Sequence, residues 1–157
     1  MTVQSILNFI QIGDRIATGG QPTEEQLQAA RDEGYTAVVN LAPHDEHSNY
    51  LPDEESLLNS FGMTYHHIPV AWTEPRLSDF RTFCALMDEL APQKTLVHCA
   101  ANYRVTAFYS LYAMKAAGWS EAEAQALRDR VWESRPDYSM DETWRTFVAQ
   151  AQASLAS

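Results

Sequence analysis

The chain has few cysteines, few cations and no long apolar run. Only Cys84 and Cys99 carry thiols among its 157 residues. Two are too few for a disulfide framework or a thiolate-rich zinc site, and they fit a reducing compartment. Lysine and arginine together number 11 against 21 aspartates and glutamates, a formal net charge of −10. That balance argues against nucleic acid or an anionic membrane as a partner, and weighs mildly against a large polyanionic substrate. A pocket for a small anion survives it, because backbone donors and one arginine act at contact distance. No stretch approaches transmembrane length, and the N-terminus lacks the basic start and long apolar segment of a signal peptide. The reading is a cytoplasmic protein, although a removed leader would leave no trace. Repeats, low-complexity segments and linkers are also missing, so residues 1–157 are read as one domain. A hydrophobic content of 45% suffices for a sizeable core.

What is present is an alternation of strand and helix. Residues 8–12 and 15–18 flank Gly13-Asp14, a two-residue hairpin signal. Gly19-Gly20-Gln21-Pro22 breaks that pattern, and its glycines are read as turn formers. Thr23 with Gln26 reads as a capping box, opening a helix that Gly34 closes. Residues 36–41 read as a buried strand. The polar loop 43–50 holds His44, Asp45, Glu46 and His47, which lie too close together in a loop to converge on a metal and are read as solvated. A short helix over 53–61 ends at Gly62. A strand over 63–70 puts His66 and His67 on opposite faces, as hydrogen-bonded structural histidines. Past the loop 71–75, Ser78 caps a helix whose Phe80, Phe83, Cys84, Met87 and Leu90 make one apolar stripe, so Cys84 is read as packing. Ser120 with Glu123, and Ser139 with Glu142, predict two further helices. The whole predicts an α/β fold, a mostly parallel central sheet flanked by helices with an N-terminal β-hairpin.

The chemistry concentrates between residues 94 and 118. Thr95, Leu96, Val97 and His98 read as a buried strand, and Val105, Phe108, Tyr109 and Tyr112 fall at helix spacing before Gly118. Cys99 therefore sits where a strand ends, and Arg104 where a helix begins. N–H groups of the turn and first helical turn point into one concavity there, and the helix dipole adds positive potential. A thiol so placed is biased toward thiolate, with His98 and Arg104 as further contributors. Arg104 can grip an oxyanion with its planar fork, as lysine cannot. The alternative is a buried strand-end cysteine beside a surface arginine. Ligands of parallel sheets bind outside the carboxyl ends of the strands, so the Cys99 loop and the Glu74 loop are expected to face one crevice.

The order Gly-Gly-Gln-Pro, helix, Ala-Val-Val-Asn-Leu, His-Ile-Pro-Val, helix, Val-His-Cys and Arg, helix resembles the cysteine-dependent dual-specificity phosphatases. More narrowly, it resembles the bacterial phosphatase-like proteins related to the domain found beside β-lactamase-fold hydrolases. The likeness runs from Asn8 to Gly118, and the last two helices add little to it. It implies a phosphate monoester hydrolase working without metal or cofactor. Cys99 would be the nucleophile. Arg104 and the loop residues Ala100, Ala101, Asn102 and Tyr103, with His98, would hold the anion, and a carboxyl would protonate the leaving oxygen. Three departures stand out. Four residues separate Cys99 from Arg104, where the phosphatases have five; a loop of this length is also used by rhodanese sulfurtransferases. Val105 follows the arginine in place of Ser or Thr, with Thr106 one step later. The general-acid aspartate's position falls near Trp72, leaving Glu74 as the nearest carboxyl, the alternative being a solvated loop glutamate. Three functions stay open: a phosphatase, a persulfide-carrying sulfurtransferase, and a non-catalytic anion-binding module.

Overall fold

In the computed structural model, which describes residues 2–44 and 49–155, every position of two central strands is buried, the pattern of parallel strands covered on both faces. The strands are β1 (Ile10–Ile12), β2 (Ile16–Gly19), β3 (Ala37–Asn40), β4 (Thr64–His67) and β5 (Thr95–His98), in the sheet order β1-β2-β5-β3-β4. β1 runs antiparallel to β2, and every other pairing is parallel. The helices are α1 (Glu24–Asp32), α2 (Glu54–Ser60), α3 (Leu77–Leu90), α4 (Tyr103–Ala116), α5 (Glu121–Trp132) and α6 (Glu142–Ser154). The predicted α/β sheet and its entering hairpin are thus both present.

The period-2 alternation of the strands divides the core. Val39, Val97 and Cys99 belong to the face packed by α3, α4, α5 and α6, with the Phe80, Phe83, Cys84, Met87 and Leu90 stripe at its centre. Ala17, Val38 and Leu96 belong to the opposite face, under α1, α2 and the N-terminal turn. The parity that sends Val97 and Cys99 one way sends Leu96 and His98 the other. Among the described residues no helix is long and apolar enough to cross a membrane.

Element ends differ from expectation in several places. The hairpin pairs Ile12 with Ile16, so its turn has three residues, Gly13, Asp14 and Arg15, and not two. Arg15 is drawn toward β5, where its carbonyl accepts from the Thr95 N–H at 2.7 Å. β4 covers only part of residues 63–70, although the amides of Ile68 and Val70 still reach the carbonyls of Asn40 and Leu41. Ser78 does not cap α3, because the helix starts two residues earlier than that cap would set it, with Arg76 at its N-cap. Asp141, and not Ser139, caps α6: its carboxylate accepts from the Trp144 N–H and sits favourably at the positive helix end. The capping boxes at Thr23 and Ser120 form as read.

Phe108 is wholly buried and packs edge-on against Phe80 and Phe83 and stacked on Phe147. Phe108→Ala is expected to cost about 3–5 kcal/mol of stability, measured by urea unfolding. A cost under about 1 kcal/mol would contradict this packing.

Candidate active site

One rung of the sheet carries Gly19, His98, Asn40 and His67 side by side at the carboxyl ends of β2, β5, β3 and β4. Cys99 is the next residue on β5's path. Its N–H reaches the Gly19 carbonyl at 3.3 Å, while the His98 carbonyl accepts from Leu41 at 2.8 Å. The thiol-bearing residue is only 1% exposed, yet it lines a cavity of about 400 Å³.

The turn from Cys99 into α4 depends on Asn102, whose left-handed backbone (φ 70°, ψ 9°) substitutes for the glycine that is absent here. Its side chain is buried and donates to the Asn8 carbonyl at 2.8 Å and to Thr18 Oγ1 at 3.0 Å. The loop's carbonyls are held from behind. Ala100 O accepts from the Gln21 N–H at 3.0 Å, and Ala101 O from Asn8 Nδ2 at 3.0 Å. Gly20 lies against this back wall: a Cβ there would stand 2.6 Å from Ala100 O and 3.1 Å from Ala101 Cα. The glycines read as turn formers therefore serve close approach as well. With these two carbonyls tied back, the cavity side is left to the N-terminus of α4, and a helix N-terminus offers an anion N–H groups that lack intrahelical acceptors.

Arg104 reaches the cavity from α4 and is 3% exposed. Its Nη1 donates to the Val70 carbonyl at 3.1 Å, and its guanidinium lies 5.6 Å from the centre of the Trp72 ring. Trp72 is fixed in turn by the last two helices. Its ring stacks on Trp132 of α5 at 5.5 Å, and its carbonyl accepts from Trp144 Nε1 of α6 at 2.9 Å. Trp132 Nε1 also donates to the Tyr103 carbonyl at 3.0 Å. The α5–α6 connection adds Arg135 and Tyr138 to the cavity, whose lining is completed by Trp72, Ala100, Ala101 and Tyr103. Arg135 pairs with Asp137 at 3.1 Å on the rim.

Of the expected site residues, Cys99, Ala100, Ala101, Tyr103 and Arg104 come together around the cavity. Asn102 lies beneath the loop and shapes it. His98 does not line the cavity: strand parity turns its ring to the α1–α2 side, where it is wholly buried. Glu74 is not among the residues that line the cavity. It sits on an exposed turn paired with Arg76, and lines a separate groove with Thr143, Thr146 and Gln150 of α6. Thr106 donates back to the Tyr103 carbonyl at 3.1 Å. His44 stacks on His67 at 4.2 Å, while Asp45, Glu46 and His47 lie outside the described residues.

Behind the loop is a buried polar chain that sequence reasoning missed. Glu54, 2% exposed, places Oε2 at 2.6 Å from His98 Nε2, and Oε1 accepts from Gln21 Nε2 at 2.9 Å. Burial alone would push the Glu54 carboxyl up. The charge and hydrogen bond of His98, the Gln21 hydrogen bond and the nearby His67 outweigh it and hold the carboxyl below its ordinary value.

A buried strand, a cysteine, a short amide-lined loop and an arginine on the following helix are the arrangement of the dual-specificity and tyrosine phosphatases. A family model described as "DSP-PTPase phosphatase fused to NAD+ Kinase" matches residues 11–150, and the chain belongs to this family, as a phosphatase of the dual-specificity/tyrosine type. A DUF442 protein from Shewanella putrefaciens, whose name assigns it to the phosphatases, is 30% identical; the match covers 98% of this chain and 96% of that one with a TM-score of 0.82. A β-lactamase hydrolase-like protein of Xylella fastidiosa is 28% identical over 124 residues, which is 77% of this chain. The chain spans only 28% of that relative's length. The active form of Tk-PTP shares the fold, with a TM-score of 0.72 at 20% identity over 93% of this chain and 97% of its own.

Gly20→Ala is expected to push the loop off its back wall and to slow Cys99 reactions by roughly 10²-fold, the order that a misplacement of about 1 Å costs. Far-ultraviolet circular dichroism checks that the fold is kept; wild-type reactivity would contradict the close approach. The two thiols should also separate by pH. Burial pushes the Cys84 thiol up to about 11, so Cys84 in the folded protein should stay unlabelled by iodoacetamide at neutral pH while Cys99 reacts. Equal labelling of both would count against the site.

Proposed function

We propose that the chain is a cysteine-dependent phosphate monoester hydrolase working through a thiophosphoryl intermediate on Cys99. The observation that carries this reading is the joint placement of Cys99 and Arg104 around one loop whose carbonyls are tied back. The Cys99 thiolate attacks phosphorus: the S–P bond forms, the P–O ester bond breaks, and its electron pair leaves with the alcohol or phenol oxygen. Arg104 and the loop amides hold the equatorial oxygens, where charge accumulates. Water then attacks phosphorus: an O–P bond forms, the S–P bond breaks with its electron pair returning to Cys99 as thiolate, and inorganic phosphate leaves with the water's oxygen. Arg104 is oriented for this by the Val70 carbonyl and the Trp72 face, so its fork approaches the loop from a fixed direction. Residues 1–157 act in this reading as one domain in the cytoplasm, without cofactor, nucleic-acid or membrane partner.

The wall of Trp72, Tyr103 and Tyr138 suits a planar ring on the leaving side. Near Trp72, where the family resemblance would put the acid, no carboxyl lines the cavity among the described residues, which favours leaving groups that depart unprotonated. Aryl phosphates are therefore expected to turn over about 10²-fold or more faster than alkyl phosphates, the order a general acid is worth. Glu74→Gln should change neither rate. A selective loss on alkyl esters would instead return Glu74 to the acid role.

Arg104→Lys keeps the charge and loses the fork, so hydrolysis of nitrophenyl phosphate should fall by about 10²–10³-fold. Wild-type turnover in that variant would refute the clamp. Transfer of sulfur from thiosulfate to cyanide tests the sulfurtransferase reading raised by the short loop; strong transfer with no hydrolysis of phosphate esters would reverse the assignment.

A further inference from the structure

Two arginines line the cavity, and the hydrolytic steps use only one of them. Arg104 is 3% exposed and marks the closed end beside the loop, whereas the Arg135 side chain is 62% exposed and marks the mouth. The rings of Trp72, Tyr103 and Tyr138 share the wall, and among the described residues no carboxylate lines it. At about 400 Å³ the space is larger than one phosphoryl group needs. It falls among pockets that hold whole small molecules, about 300–1,000 Å³.

The turn that carries Arg135 is anchored, while its side chain is only loosely engaged. The Tyr138 N–H reaches the Arg135 carbonyl at 3.4 Å. The Tyr138 ring stacks on buried Trp132 at 6.3 Å and meets Tyr103 edge-on at 5.7 Å. Trp132 is also the ring that stacks on Trp72, so the turn is fixed against the wall of the cavity. The Arg135 guanidinium pairs with Asp137 at 3.1 Å, and that carboxylate is 70% exposed. An ion pair so open to water is weak, and an incoming oxyanion can take Asp137's place at little cost. Arg135 stands where the cavity meets a second hollow, which it shares with Glu133, Asp137 and Ser139. Asp137 belongs to that hollow and not to the cavity, so a ligand in the cavity meets the guanidinium with no carboxylate on its own side.

We infer that Arg135 is a specificity-determining residue that receives a second oxyanion, carried on the leaving group. The preferred substrate is then a small aromatic phosphate with an anion at each end. Its phosphoryl group lies against Arg104, its ring along the aromatic wall, and a carboxylate or second phosphate at Arg135. The planar fork of arginine suits either oxyanion. Although the chain's net charge is −10, both cations act at contact range, well inside a Debye length of about 8 Å. The inference rests on the Cys99 loop being the phosphoryl site.

Non-hydrolysable ligands test it on the intact protein. Para-carboxybenzylphosphonate and para-carbamoylbenzylphosphonate share shape and phosphonate and differ in the charge at the far end. By titration calorimetry in low salt, the carboxylate should bind about threefold to fivefold tighter, the order of an exposed charge pair. Arg135→Gln should abolish that preference, Arg135→Lys should keep most of it, and Asp137→Asn should widen it. A third ligand, with a second phosphonate in place of the carboxylate, tells the two oxyanions apart by which loses more affinity in Arg135→Gln. The inference is overturned, with the phosphoryl site left standing, if wild type binds neither charged ligand more tightly than the neutral one. A preference that survives Arg135→Gln overturns it equally. If no phosphonate binds at all, the phosphoryl site and this inference fall together. A preference that depends on Arg135, in a protein that hydrolyses no phosphate ester, keeps the subsite and loses the hydrolase assignment.

Discussion

Six residues from Cys99 to Arg104 must turn a strand into a helix beside one cavity, and the carbonyls of Ala100 and Ala101 must then find their partners on the back. That constraint governs much of the surrounding chain. Gln21 and Asn8 supply the donors, Gly20 supplies the room, and Asn102 supplies the left-handed backbone with its own side chain anchored to Asn8 and Thr18. An unpartnered buried carbonyl costs about 1–3 kcal/mol, so losing two of these contacts is comparable to much of a small domain's net stability. The N-terminal residues are thus part of the site's foundation, though none of them touches the cavity.

The electrostatics follow the same economy. A chain with net charge −10 offers little long-range attraction to an anion. An anion in the cavity would instead meet positive charge at contact range, from Arg104, the helix end and Arg135 on the rim. Arg104 is aimed by Val70 and Trp72, and Trp72 is held by the indole N–H of Trp144 on α6 and by ring stacking on Trp132 of α5. The last two helices, which add little to the sequence resemblance, are therefore the outer wall of the site and the support of its main cation.

Local pattern explains what was legible in the sequence. Buried β5, the cysteine at its end and the apolar spacing of α4 are all short-range signals, and together they put Cys99 at a strand end and Arg104 at a helix start. Strand parity separates His98 from Cys99, a consequence that the expectation of His98 as an anion ligand did not draw. Side-chain direction in loops is not local information. Glu74 belongs to a strand-end loop as expected, yet the turn points it at Arg76 and away from the thiol. Glu54 looks like any first-turn acid placed to suit a helix dipole; only the docking of α2 over His98 makes it a buried partner. Arg135 and Tyr138 join the cavity because Trp132 and Trp144 dock α5 and α6, a long-range event with no signature in the nearby residues.

The central claim is covalent, and rapid acid quench tests it most directly. The enzyme is mixed with an excess of aryl phosphate, quenched within the first turnover, digested and analysed by mass spectrometry. The account predicts a phosphoryl group on the peptide containing Cys99, absent in Cys99→Ser and discharged by water when the quench is delayed. Hydrolysis that proceeds at full rate with no such adduct, or an adduct carrying sulfur in place of phosphate, would contradict it.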